Sequence, residues 1–227
     1  AVADFNAVNL AFNTGPSWLY IPACTDAQLF LHSSAIIGAG VSLAFGAGNP
    51  LRTNFEAAPP TGIYVDESVG SQMGLWNAGS ISLVTEKADI PSIGIYKERA
   101  VYGFQFVNQA GGTLQVAAQA SDAVGVSGIS SIWNAGTVTV SSASGDAAAF
   151  DNMTSTWSDF VNSGAVSVTA AGAAEGLVIS RDNTVSGSHF VNSGSMTLDG
   201  GIASTAFYLR YFRTSDSSFV NSGTIIV

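Results

Sequence analysis

Three tyrosines, Tyr64, Tyr96 and Tyr208, each stand just ahead of charged side chains: Asp66 and Glu67, Glu98 and Arg99, and Arg210. Asp151, Arg181 and Asp182 follow similar apolar stretches between them. Carboxylates brought close together are the equipment of glycoside hydrolysis, where one protonates the leaving oxygen and the other acts as base or nucleophile. Acidic metal ligands beside a basic side chain would instead serve an elimination. Tyrosine rings offer flat apolar faces with a polar tip, suited to sugars. On this reading Tyr64, Tyr96, Tyr208 and Arg210 are the ligand-binding candidates. The sequence assigns no catalytic residue, with Asp66, Glu98 and Asp151 the carboxylates to watch. The charges alternate in sign and no Asp-x-Asp or Gly-His-Gly motif accompanies them, so solvated loop residues are the competing reading.

Other chemistry finds less to work with. His32 and His189 are far apart, neither beside a second ligand type, so no metal site and no catalytic triad is expected. The Asn-Ala-Gly and Asn-Ser-Gly turns lack the lysine and following helix of a phosphate loop, and no cofactor is expected.

Whether the charged residues can meet depends on the elements that carry them, and those are set by a repeat. LWNAGSISL (75–83), FVNQAGGTLQV (106–116), IWNAGTVTV (132–140), FVNSGAVSV (160–168), FVNSGSMTL (190–198) and FVNSGTIIV (219–227) align on Asn77, Asn108, Asn134, Asn162, Asn192 and Asn221. The spacings are 31, 26, 28, 30 and 29 residues, with Gln109 and Ala110 as extra residues in the second copy. Apolar and polar residues alternate with period two, which is strand periodicity. Asn-x-Gly in the middle marks a corner, because both residues tolerate positive φ. A further strand follows in each copy, as in Gly94-Ile95-Tyr96 and Ala206-Phe207-Tyr208-Leu209, with Gly62-Ile63-Tyr64-Val65 ahead of Asn77. Three short strands per roughly 29 residues, with no helix between them, predict an all-β, right-handed parallel β-helix whose coils stack at the interstrand spacing. A propeller blade needs a longer period.

Stacking explains the asparagines. A buried amide is costly unless hydrogen-bonded, and in a column each can donate to one neighbour and accept from the other. They are read as a structural ladder. Two residues before each stands an interior apolar residue: Leu75, Phe106, Ile132, Phe160, Phe190 or Phe219. One before stands an apolar residue on the opposite face (Trp76, Val107, Trp133, Val161, Val191 or Val220), expected to be covered or to serve as a contact surface.

Composition agrees with a protein of large core and polar, weakly charged surface. Of 227 residues, 47% are apolar and only 10% charged, against about 25% charged in ordinary soluble domains. The net charge of −9, from 16 acids and 7 bases, argues against nucleic acid and anionic membranes as partners. No apolar run is long enough to insert in a membrane. Cys24 is the sole cysteine, so no intrachain disulfide can form.

The start of the chain differs from the repeats. Asp4 can cap a short helix over residues 1–15, with Phe5, Val8 and Phe12 on one face, and Asn13-Thr14-Gly15-Pro16 ends it. ADFNAVNLAFNTGPSWLYIPA and AIIGAGVSLAF resemble the opening of the pectate-lyase-like superfamily and of phage tailspikes. Cys24 departs from the glycine usual there. The resemblance implies a capping helix, early coils over 16–70 and glycan-directed chemistry. The FxNxGxI repeats over 71–227 resemble autotransporter passengers and other bacterial adhesins, implying an extracellular or cell-surface location and a role in adhesion. Residues 1–227 are thus expected to form a single β-helix domain.

Outward hydroxyls after each corner glycine (Ser80 and Ser82, Thr113, Thr137 and Thr139, Ser167, Ser195 and Thr197, Thr224) resemble the arrays of ice-binding solenoids, mixed with Gln115, Ala165 and Ile226. The last phrase ends on a bare coil, so either further chain or self-association is expected there. The functional expectation is an adhesin-like structural rod that presents loops, with no enzymatic activity assigned to it. A glycan-binding or glycan-cleaving solenoid is the first alternative and an ice-binding solenoid the second.

Overall fold

The computed structural model describes residues 19–20, 24–25, 29–31, 34–45, 61–65, 73–86, 90–97, 104–151, 159–179, 187–209 and 216–227. These form a parallel β-solenoid, with no helix among them. The helix expected over 1–15 lies outside the described residues, as do Asp66, Glu67, Glu98, Arg99, Arg181, Asp182, Arg210 and His32.

Among the described residues three parallel sheets run along the solenoid, of eight, eight and seven strands; each coil contributes one strand to each sheet, except that of residues 218–226, which contributes to the first two. The first sheet takes Gly74–Asn77, Gln105–Asn108, Ser131–Asn134, Asp159–Asn162, His189–Asn192 and Ser218–Asn221 from the six repeats. The second takes Ser80–Thr85, Thr113–Ala118, Thr137–Ser142, Ala165–Ala170, Ser195–Gly200 and Thr224–Ile226. The third takes Thr61–Val65, Ser92–Lys97, Ala123–Ser127, Ala147–Asp151, Ala173–Ile179 and Ala203–Leu209. Shorter strands precede these in all three sheets.

The register is in phase, so like positions stack. Phe106 pairs with Leu75 and Ile132, Phe160 with Ile132 and Phe190, and Phe190 with Phe219. This column and the inward columns of the other two sheets fill one apolar interior in which Phe106, Phe150, Phe160 and Phe190 are fully buried. Phe160 meets Phe150 and Phe207 edge-on at 5.3 and 5.9 Å between ring centroids, and Phe207 meets Phe219 at 4.7 Å.

The asparagines form the ladder. Each side-chain amide donates to the carbonyl oxygen of the next: Asn77 to Asn108 at 2.8 Å, Asn108 to Asn134 at 2.8 Å, Asn134 to Asn162 at 2.7 Å, Asn162 to Asn192 at 2.7 Å and Asn192 to Asn221 at 2.8 Å. In the first four the second amide hydrogen goes to a backbone carbonyl of the second sheet, Thr113, Thr137, Ala165 or Ser195. The first five asparagines are buried, and the burial is tolerated because each polar atom in the run is bonded.

The corner glycines have a different cause from the one expected. None of Gly79, Gly136, Gly164, Gly194 or Gly223 has positive φ. Their place is fixed by crowding. A Cβ on Gly164 would run into the carbonyl oxygen of Gly136, one on Gly194 into that of Gly164, and one on Gly223 into that of Gly194. Successive corners nest backbone on backbone, each next coil donating to the glycine carbonyl below: Thr137 N to Gly112 O, Ala165 N to Gly136 O and Ser195 N to Gly164 O, all at 2.9 Å. The longer second copy makes its turn at Gly111, whose φ of +86° does require glycine.

Candidate functional site

The third sheet carries two outward columns. One runs Tyr64, Tyr96, Ser127, Asp151, Val178, Tyr208, each the register partner of the next. The other runs Ile93, Val124, Ala148, Glu175, Thr205. Between them lies a column of small residues, among them Gly94, Gly125, Ala149 and Gly176. A Cβ on Gly125 or Gly176 would strike the carbonyl of the next coil.

Over these columns lies a groove of about 610 Å³. Its floor is small: Ala123, Val124, Ser127, Ala147 and Ala148. Tyr96 lines one end and Tyr208 the other, with Asp122, Asp146, Asp151 and Glu175 as the carboxylates between. Four rungs separate the tyrosines, about 19 Å at the ordinary strand spacing. Tyr208 is 43% exposed. Tyr64, expected to offer its ring as well, is only 4% exposed and packs on Tyr96 at 5.8 Å and 59°, backing that ring from the neighbouring rung.

Thus the groove gathers Tyr96, Asp151 and Tyr208 from the candidates named in the sequence. It adds three carboxylates that the sequence did not single out. Asp122 and Asp146 sit at the corner where the second sheet turns into the third. Asp122 accepts from Asp146 N at 2.8 Å, and Asp146 accepts from Ala173 N at 2.7 Å, each through Oδ1. Gly145 and Gly172 leave room for these oxygens, since a Cβ at either would strike them. The two aspartates therefore pin successive corners with one oxygen of each carboxylate.

Glu175 lies farther in, half-buried. Its carboxyl is held above the usual 4.5, first by burial, then by the negative charges of Asp151 and Asp146. The folded protein therefore binds this proton more tightly than the unfolded chain. Between the unfolded value near 4.5 and the higher folded value, stability falls as pH rises, because the folded state must ionise a carboxyl it disfavours. Glu175→Gln is expected to raise the urea midpoint at pH 7 and to leave it unchanged below pH 4. Parallel urea titrations of both proteins across that window check this.

Elsewhere, Asp159, His189 and Ser218 occupy successive rungs on the outer face of the first sheet. His189 Nδ1 and Ser218 Oγ lie 2.9 Å apart. The Asp159 side chain makes no hydrogen bond to the imidazole, and all three stand on an open strand face rather than in the groove, so the trio is not assembled as a catalytic triad. The sequence repeat hid even this proximity, because the column keeps no one residue type from coil to coil. In the neighbouring column Trp76, Val107, Trp133, Val161 and Val191 are half-buried and Val220 is 49% exposed.

On the second sheet the outward columns are in register, Thr113 with Thr137, Ala165, Ser195 and Thr224, and Gln115 with Thr139, Ser167, Thr197 and Ile226. Ala165 interrupts the hydroxyls of the first column, and Gln115 and Ile226 those of the second. No group of three or more His, Cys, Asp or Glu among the described residues is placed to hold a metal ion.

Comparison with protein-family models, curated proteins and solved structures finds no match.

Proposed function

We propose that the protein is a rigid, extracellular rod of the adhesin type that holds a glycan in the groove of its third sheet. One observation carries the reading. Tyr96 and Tyr208 line opposite ends of a single groove with a small-residue floor and carboxylate acceptors along it. Aromatic faces against sugar rings, with a few polar groups to fix the hydroxyls, are what a pre-formed carbohydrate site requires. Rigidity comes from the asparagine ladder and nested corners, which hold the two tyrosines at fixed separation and reduce the ordering cost of binding. The low charged fraction and the adhesin-like repeats favour a surface location. The chain is expected to bind members of a carbohydrate array, and Tyr208→Ala to lose that signal while keeping its circular dichroism spectrum. An array blank for the parent protein would refute the reading.

Glycan cleavage is a second reading, favoured by one pair of side chains. Glu175 keeps its proton to higher pH than an ordinary carboxyl while Asp151 stands nearby as a carboxylate, the split that an acid and its partner need. Release of reducing ends from an array-positive glycan, abolished by Glu175→Gln, would convert the rod into an enzyme.

A further inference from the structure

Resting on the glycan-binding reading above, we infer that the groove selects an uncharged oligosaccharide laid along the solenoid axis, long enough to touch Tyr96 and Tyr208 at once, and rejects polyuronates. The direction follows from the register. Tyr96, Ser127, Asp151, Val178 and Tyr208 are successive rungs of one column, so the two rings lie on a line parallel to the axis. A ligand lying along the strands' own direction would meet one ring and miss the other. The span of four rungs, about 19 Å, exceeds what a disaccharide bridges and matches a short oligosaccharide.

The charge selection follows from what faces that line. Asp151 and Glu175 flank the middle of the path, with Asp122 and Asp146 at its corner edge, and among the described residues lining the groove there is no Lys, Arg or His. Burial and the two neighbouring carboxylates already disfavour the ionised form of Glu175. A sugar carboxylate placed there would add a like charge beside Asp151 and Glu175, with no cation among the described lining residues to meet it. A neutral sugar instead supplies hydroxyl donors, which ionised carboxylates accept. Tyr64 adds to the case for a built site, because its ring is buried to support Tyr96 from behind.

The test is calorimetric titration of the full chain with cello-, xylo- and manno-oligosaccharides of two to six residues, and with oligogalacturonates of the same lengths, at low and at physiological salt. Affinity for at least one neutral series should climb with length until both tyrosines are spanned and exceed that of the matched galacturonate by about tenfold or more. Tyr208→Ala should bring the long neutral ligands down to the affinity of the short ones, leaving the short ones unchanged. Asp151→Asn combined with Glu175→Gln should raise galacturonate affinity, most at low salt where screening is weakest. Neutral ligands that bind with no length dependence, or galacturonates that bind as tightly as neutral chains, would overturn the inference while leaving glycan binding intact. Failure of every sugar in both series would overturn the glycan reading itself.

Discussion

Asn134→Leu is expected to cost about 4 kcal/mol of stability, because it strips hydrogen-bonding partners from two buried amides at about 1–3 kcal/mol each and gives up its own bonds as well. Leucine is close to asparagine in size, so the loss reports polar satisfaction rather than a cavity. Asn108 loses the acceptor that its amide meets at 2.8 Å, and Asn162 loses the donor that reaches its carbonyl oxygen at 2.7 Å. Neither can turn to water, since both are fully buried. Asn134 also sits in the interior of the run, and a solenoid is stabilised by contacts between neighbouring coils. The substitution should therefore lower the urea midpoint and broaden the transition as the two halves uncouple. Asn221, exposed at the last rung, should tolerate the same change with less than half the loss. Equal effects at Asn134 and Asn221 would mean that the column is not acting as a chain of bonds.

The second large effect is at Phe160. Truncating this fully buried ring to alanine is expected to cost about 3–5 kcal/mol, the usual range for a core phenylalanine. Its column partners Ile132 and Phe190 and its edge-on neighbours Phe150 and Phe207 come from strands held by their own ladders, so the cavity cannot readily collapse. Phe219 occupies the same column but is 46% exposed, so Phe219→Ala should cost much less. Thermal unfolding of the two variants side by side measures the contrast.

The parts of the fold visible in the sequence are those where stacking demands one residue type. A buried amide needs another amide, so asparagine recurs six times and marks the first sheet. A backbone nested against the next backbone excludes a Cβ, so glycine recurs two residues later in five of the six copies. The reason for that glycine was not visible: Asn-x-Gly suggests positive φ, and only the coil-to-coil contact shows that crowding decides. The groove was less visible still. An outward position needs no particular residue, so its columns read Ile93, Val124, Ala148, Glu175 or Tyr96, Ser127, Asp151, Val178, and no motif announces them. Variable connections between coils also blur the register of the third strand. Tyr96 and Tyr208 were found because they stand just ahead of charged residues, and Asp151 because it follows an apolar stretch. Glu175 was missed because it precedes the apolar stretch 176–179, although it lies inside the strand Ala173–Ile179. Lys97 was passed over in the same way: it follows Tyr96 like an ordinary surface lysine, yet it is 1% exposed and turned inward beneath Gly128, whose missing Cβ makes room for its backbone.

The central claim is that coils stack in register, so that residues more than a hundred positions apart in the chain stand at a fixed small multiple of the strand spacing. Spin labels at Ser82 and Thr197, on the outer face of the second sheet and away from the groove, test it most directly. The two positions are joined through Gln115, Thr139 and Ser167. Pulsed dipolar spectroscopy should give one narrow distribution consistent with backbone positions about 19 Å apart, lengthened only by the label linkers. A broad distribution, or one centred at twice that separation, would contradict the stacking and with it the groove.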